Sequence, residues 1–311
     1  MAPANNSSPT KAAFAGAFLP EADLIDPALD RIRAEIDRLG LEANAFDLDT
    51  LGYTVLTPEK MNAGDLALRL REALLDFAKS STGRRPDIDG NGPAAESSWT
   101  AVGQGQFLHH VMYKNPVFEE ALMNPRTLAL ITYLLGENCV LSSMNAMLKS
   151  AGGDHLELHT DQVGTPAPFP AYAQVANATW ALTDYTLETG PITFVPGSHR
   201  WCRHPTRREA VDQSLAQPVI APAGSLIVWH GNTWHGAHAR QAPGLWVNLM
   251  IYFCRWYILP QVLYHQTVPK ALLERNPERF GVLMGRRNPY AGQDLDGATP
   301  SMSLGQLGPF A

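Results

Sequence analysis

From Cys139 to about Ile258 the chain is a succession of short β-forming runs broken by Gly and Pro, with no helical segment between them. The runs are Val140 to Lys149, His155 to Asp161, Ala173 to Leu182, Ile192 to Val195, Ser225 to Trp229 and Trp246 to Phe253. Upstream the pattern is helical. Leu29, Ile32, Ile36 and Leu39 recur at helical spacing within Asp26 to Leu39, and Asp65 to Phe77 reads as an amphipathic helix. Val117 to Gly136 reads as two helices divided at Asn124-Pro125, because the residue before a proline avoids the helical conformation. Helices first and then many strands predict an α+β fold with an antiparallel barrel or jelly-roll core.

The smaller features fit around that frame. Leu51 to Leu56 reads as a strand, and Gly83 to Ser98, rich in Gly, Pro, Asp and Ser, reads as a long surface loop. The expected organisation is a loosely packed or disordered tail over 1–20 and a single domain over 21–311. Within it a helical part covers about 21–138, a core about 139–258, and an extension of 259–311 with a short helix and a Gly- and Pro-rich tail. There is no internal repeat.

Charge and cysteine content exclude several classes. The net charge is −6 and the Lys and Arg residues are scattered, so the chain lacks the basic footprint of a nucleic-acid or membrane-surface binder. The apolar stretch Ala12 to Pro20 is far too short to span a bilayer. A cytoplasmic protein acting on a small molecule is expected. Cys139, Cys202 and Cys254 form no CxxC pair and no disulfide framework, and read as apolar fillers.

Chemistry concentrates in Asp154 to Asp161, D-H-L-E-L-H-T-D. On a strand, alternation puts His155, Glu157, His159 and Asp161 on one face and Leu156 and Leu158 on the other. A helical reading would pair His155 with His159 as in a zinc hydrolase, but that motif wants Glu directly after the first His, where Leu156 stands. An H-x-D triplet is weak alone and needs a distant third ligand to make a 2-His-1-carboxylate site. His230, His235 and His238 in W-H-G-N-T-W-H-G-A-H are the candidates, and spacing does not choose among them.

These segments together resemble the phytanoyl-CoA dioxygenase-like (PhyH) family of Fe(II)/2-oxoglutarate-dependent oxygenases. The resemblance rests on His159-Thr160-Asp161, the strand Ala178-Thr179-Trp180-Ala181-Leu182-Thr183-Asp184, Gly190 and Pro196-Gly197-Ser198-His199-Arg200. It continues through Gly224-Ser225-Leu226-Ile227-Val228-Trp229 and Trp234-His235-Gly236, and spans roughly Asp47 to Arg255. It implies a double-stranded β-helix, a cupin-like jelly roll, with iron held by His159, Asp161 and His235. It further implies that Asn145 and Trp180 line the pocket for 2-oxoglutarate. The implied reaction uses O2 and 2-oxoglutarate to hydroxylate or otherwise oxidise a C–H bond, releasing succinate and CO2. His199 is expected to stabilise a turn, and His230 and His238 to border the cavity or meet solvent.

The chain departs from the family at one point. Members carry an Arg eleven residues after the distal His, paired with the far carboxylate of 2-oxoglutarate; here that position is Trp246. An indole with one N–H cannot replace a guanidinium fork. Arg240 is the expected replacement, with Lys149 as a second possibility, while Arg255 lies at odd spacing from Trp246 and should face away. Two alternatives stay open: a zinc-dependent hydrolase using His155, His159 and another ligand, and a relative that binds ligand without turnover, which Trp246 raises. Glu157 on the metal face would need a cation partner or the metal itself.

Overall fold

The computed structural model describes residues 27–90, 105–152 and 155–286. The expected N-terminal tail, the Gly- and Pro-rich C-terminal stretch and the loop from 91 onward lie outside these residues.

Among the described residues six α-helices precede the jelly-roll core: Pro27–Leu39, Glu42–Thr50, Pro58–Met61, Leu66–Thr82, Val117–Leu122 and Pro125–Leu135. The break at Asn124-Pro125 has a local cause. The Asn124 side-chain oxygen accepts from the backbone N–H groups of Arg126 and Thr127 at 3.0 and 3.2 Å, and Pro125 occupies a first-turn position that needs no donor. Leu66–Thr82 runs a turn beyond its predicted end and stops at Gly83, whose φ of +74° suits glycine. The polar residues 79–82 add no apolar periodicity, so the pattern faded before the helix did. The helix Glu42–Thr50 was not foreseen, because it buries only Asn44, Ala45 and Leu48 and shows no clear apolar face.

The strands of the described residues are, in order, β1 Tyr53–Leu56, β2 Gly105–Leu108, β3 Val140–Lys149, β4 Leu156–His159, β5 Val175–Ala181, β6 Ile192–Phe194, β7 Gln217–Pro218, β8 Leu226–His230, β9 His235–Ala237 and β10 Trp246–Cys254. They form a six-stranded sheet, β1-β8-β5-β10-β3-β2, and a four-stranded sheet, β4-β9-β6-β7. All pairings are antiparallel.

Alternation on the large sheet divides two environments. Val247, Leu249, Ile251 and Phe253 of β10 face the helical layer and pack with Leu70, Leu74, Leu130 and Leu134. Trp246, Asn248, Met250 and Tyr252 face the other way, into the space between the sheets. Trp180 belongs to the first set: it is fully buried in the core shared with the helices. That placement removes it from the pocket where the family resemblance had put it.

Beyond the core, among the described residues, there are three short helices where one was expected: Tyr264–Thr267, Lys270–Arg275 and Glu278–Leu283. Pro269 and Pro277 stand immediately before the last two and divide the segment. Phe280 and Leu283 anchor it in the main core. Cys139 and Cys254 are buried and Cys202 half-buried, none in a disulfide, and burial pushes the Cys254 thiol up to about 12. Among the described residues no helix is long and apolar enough to cross a membrane.

The Asn124 cap is the cleanest local test of this architecture. Asn124→Ala should lower unfolding free energy by about 1 kcal/mol, read as a lower denaturant midpoint at unchanged slope.

Candidate active site

Strand β4 carries the first candidate ligand, and its path is irregular. Leu156 pairs with Ala237 and His159 with His235, so three steps on β4 match two on β9. The extra residue is a bulge, which resets side-chain direction. Leu156 and His159 therefore both line the cavity, while Leu158 packs away from it with Val195 and Trp234. Glu157 turns out to Arg207, 2.9 Å away. The expectation that Glu157 shares the metal face is thus corrected, and the bulge is the reason. His155 is exposed just before the strand, so no helical His155/His159 pair exists.

Strand β9 carries His235. Its neighbour Gly236 lies so close to β4 that an added Cβ would sit 2.4 Å from the Leu156 carbonyl oxygen. Only glycine lets the two strands approach at this point. The rings of His159 and His235 consequently lie 4.2 Å apart between centroids.

Asp161 completes the group. His159, Asp161 and His235 each offer a ligand atom, and these atoms lie within 4.8 Å of one another. Hydrogen bonds decide which atoms those are. The Nδ1 atoms of His159 and His235 meet the carbonyls of Glu157 and Thr233 at 2.9 and 3.0 Å. A carbonyl only accepts, so each Nδ1 donates a proton and each Nε2 is the ring atom left to face a metal. Burial pushes His235 well below its ordinary pKa, which keeps it neutral. One Asp161 oxygen, Oδ2, accepts from Asn177 Nδ2 at 3.0 Å and Trp229 Nε1 at 2.8 Å. The other, Oδ1, lies 3.6 Å from His235 Nε2. Two imidazoles and one oriented carboxylate, each held from behind, fit a non-haem iron.

The triad lines a cavity of about 370 Å³ between the two sheets, with Ile192, Met147, Met250 and Trp229 among its walls. Phe194 packs beside His235, its ring centroid 5.9 Å away, and Tyr53 stacks on Phe194. Asn145 lines this cavity; its Oδ1 accepts from the His110 N–H at 3.1 Å and its Nδ2 donates to Ser143 Oγ at 3.2 Å.

Arg240 does not line the cavity. Its guanidinium donates to the carbonyls of Thr189, Pro243 and Gly244, which fastens the loop after β9. That corrects the expectation that it replaces the missing Arg. Lys149 does line the cavity. Arg255 lies just past β10 and donates to the carbonyls of Ala173 and Leu134, over the ring of Tyr172. His199 ties its turn to the Asp49 carbonyl. His230 is buried beside His199, outside the triad cavity, with its Nδ1 accepting from the Asn232 N–H. Asn177, Trp229 and Tyr252 were missed; only a polar Asn within an apolar strand hinted at the first.

Over residues 15–244 the sequence matches the family model for phytanoyl-CoA dioxygenase (PhyH). The chain belongs to that family. Dioxygenase af480 of Aspergillus fumigatus is 30% identical over 162 residues, covering 50% of this chain and 51% of that protein. The iron/alpha-ketoglutarate-dependent dioxygenase okaE of Penicillium ochrochloron is 29% identical over 115 residues, covering 34% of this chain and 35% of that protein. The chain thus matches about half the length of the first relative and about a third of the second. Among solved structures, the epimerase SnoN in complex with Fe3+, alpha ketoglutarate and nogalamycin RO shares the fold. Its TM-score is 0.54 at 20% identity, with 86% of this chain and 97% of that one covered. The PhyH match ends two residues short of Trp246, where the chain departs from the family pattern.

Asn177→Ala and Trp229→Phe each remove one donor from the Asp161 carboxylate. Each should weaken Fe(II) binding by about 10- to 100-fold, measured by anaerobic metal titration, with the melting transition of the metal-free protein little changed.

Proposed function

We propose that this PhyH-family chain is an Fe(II)/2-oxoglutarate-dependent dioxygenase that hydroxylates, or otherwise oxidises, a C–H bond of a small organic metabolite. The observation that carries the reading is the convergence of two imidazole Nε2 atoms and one carboxylate oxygen on one largely apolar cavity. The iron/alpha-ketoglutarate dependence of okaE and the contents of the SnoN complex support it. A zinc hydrolase built on His155 loses its footing, since His155 is exposed and outside the triad.

In this reading the bound iron supplies the oxidising chemistry: one oxygen atom of O2 enters succinate and the other the product, and CO2 leaves. The residues of the chain do the rest. His159, Asp161 and His235 would occupy one face of the metal and leave the opposite face to 2-oxoglutarate and O2. The apolar walls exclude water, which would otherwise compete for that face. Phe107, His109, His110, Val163 and Gln261 also line the cavity and would meet the organic substrate beside Tyr252. A cavity of this size, mostly apolar in surface but with Ser143, Asn145 and Gln261 on its walls, suits a modest molecule that carries a few hydrogen-bonding groups.

The decisive measurement is succinate formation and O2 uptake by anaerobically Fe(II)-loaded protein given 2-oxoglutarate. Turnover is expected, at least uncoupled and faster with an accepted substrate. No turnover across a reasonable panel would sink the proposal and leave a ligand-binding relative. Asp161→Ala should lose iron on desalting and lose succinate formation with it. Full retention of both would take Asp161 out of the ligand set.

A further inference from the structure

Trp246 and Lys149 are directly paired across the β10–β3 ladder. Paired residues on antiparallel strands have Cβ atoms about 5 Å apart and share a face. So the cation missing from position 246 of β10 has a counterpart one strand away, on the same wall of the same cavity.

The surroundings of Lys149 mark it as an anion's partner. It is only 2% exposed, and none of the ion pairs among the described residues involves it. Its Nζ donates to the His238 carbonyl at 3.2 Å, which leaves two N–H donors. Burial lowers its pKa and the nearby Arg240 lowers it further, so the charged form lacks a balancing negative group. A buried ammonium in this condition is costly unless an anion joins it. Beside it, the Trp246 indole N–H is buried and has no acceptor among the described residues. Both side chains line the triad cavity.

The spacing is right as well. His235 and His238 lie three residues apart, a rise of roughly 10 Å for an extended chain. Lys149 Nζ donates to the His238 carbonyl at 3.2 Å, so the backbone it holds lies about that far along the chain from His235. A five-carbon diacid with C–C bonds of about 1.5 Å and a charge-assisted contact of about 2.8 Å at its far end bridges such a gap. We propose that Lys149, together with the Trp246 indole N–H, binds the distal carboxylate of 2-oxoglutarate. This assignment rests on the dioxygenase reading above, and it makes Trp246 part of the binding site rather than a lesion in it.

The test is calorimetric titration, under anaerobic conditions, of the Fe(II)-loaded chain and its Lys149→Met variant with two ligands. One is 2-oxoglutarate; the other is 2-oxopentanoate, which keeps the metal-binding end and lacks the distal carboxylate. Wild type should favour 2-oxoglutarate strongly. Lys149→Met should weaken 2-oxoglutarate by about 100-fold or more and leave 2-oxopentanoate unchanged, with iron content and melting transition kept. A variant that still discriminates as wild type does overturns the proposal. Trp246→Phe is the second variant, informative even should Lys149→Met fold poorly. It should weaken 2-oxoglutarate by about 10-fold and spare 2-oxopentanoate, and equal discrimination would remove the indole from the site. Wild type that retains iron but binds neither 2-oxo acid fails the dioxygenase reading itself, a result distinct from loss of the Lys149 assignment alone.

Discussion

A single carboxylate ties the two sheets together. Asp161 follows β4 of the small sheet, yet almost everything that holds it comes from the large one. Asn177 of β5 and Trp229 of β8 donate to Oδ2, Tyr252 of β10 donates to its backbone carbonyl, and its own N–H reaches the Gly231 carbonyl. A hydrogen bond to a charged group contributes about 1.5–3 kcal/mol, so this junction is strong although no cation takes part in it. Its geometry also has a direction. With Oδ2 fully engaged, Oδ1 is the oxygen left facing His235, and the imidazoles are turned to it by carbonyls of their own strands. The ligand face is set by hydrogen bonds of the protein alone.

That arrangement requires β4 and β9 to run unusually close, which explains the glycine in W-H-G. A side chain at 236 would push against the Leu156 carbonyl and separate His159 from His235. It also requires the bulge in β4, because a regular strand would keep Leu156 and His159 on opposite faces. Two departures from ideal sheet geometry thus place the imidazoles, and they sit where irregular backbone is most useful, beside a site.

Much of this could be read from sequence, and the failures share a cause. The strands of the core were legible because their runs are β-rich and bounded by Gly and Pro. Asn145 and Lys149, an even number of residues apart on a regular strand, could be assigned to one face. Trp180 could not, because its parity has meaning only against Asn177, three residues earlier, whose contact with Asp161 is a tertiary fact. Glu157 was misplaced because a bulge leaves no mark in composition. Arg240 is the nearer of the two cations to Trp246 in sequence and was preferred to Lys149 for that, but it follows β9 on a loop, where alternation says nothing about direction. The helix Glu42–Thr50 escaped because it packs on its neighbours without an apolar stripe of its own.

The electrostatics of the cavity follow from these placements. At the triad end the protein contributes one carboxylate and two imidazoles, a donor set suited to a cation. At the other end it contributes Lys149, with Arg240 behind it and no acid in contact, a net positive charge suited to an anion. Ile192 and Met147 also line the cavity, and their apolar side chains do little to screen either end. In such a medium each end disfavours a ligand of the wrong sign and strengthens its hold on the right one. Moving the cation from β10 to β3 leaves that polarity intact, because the two positions face each other across one ladder. The family's Arg and this chain's Lys are then two solutions to the same requirement, a positive charge at the far wall of the cavity.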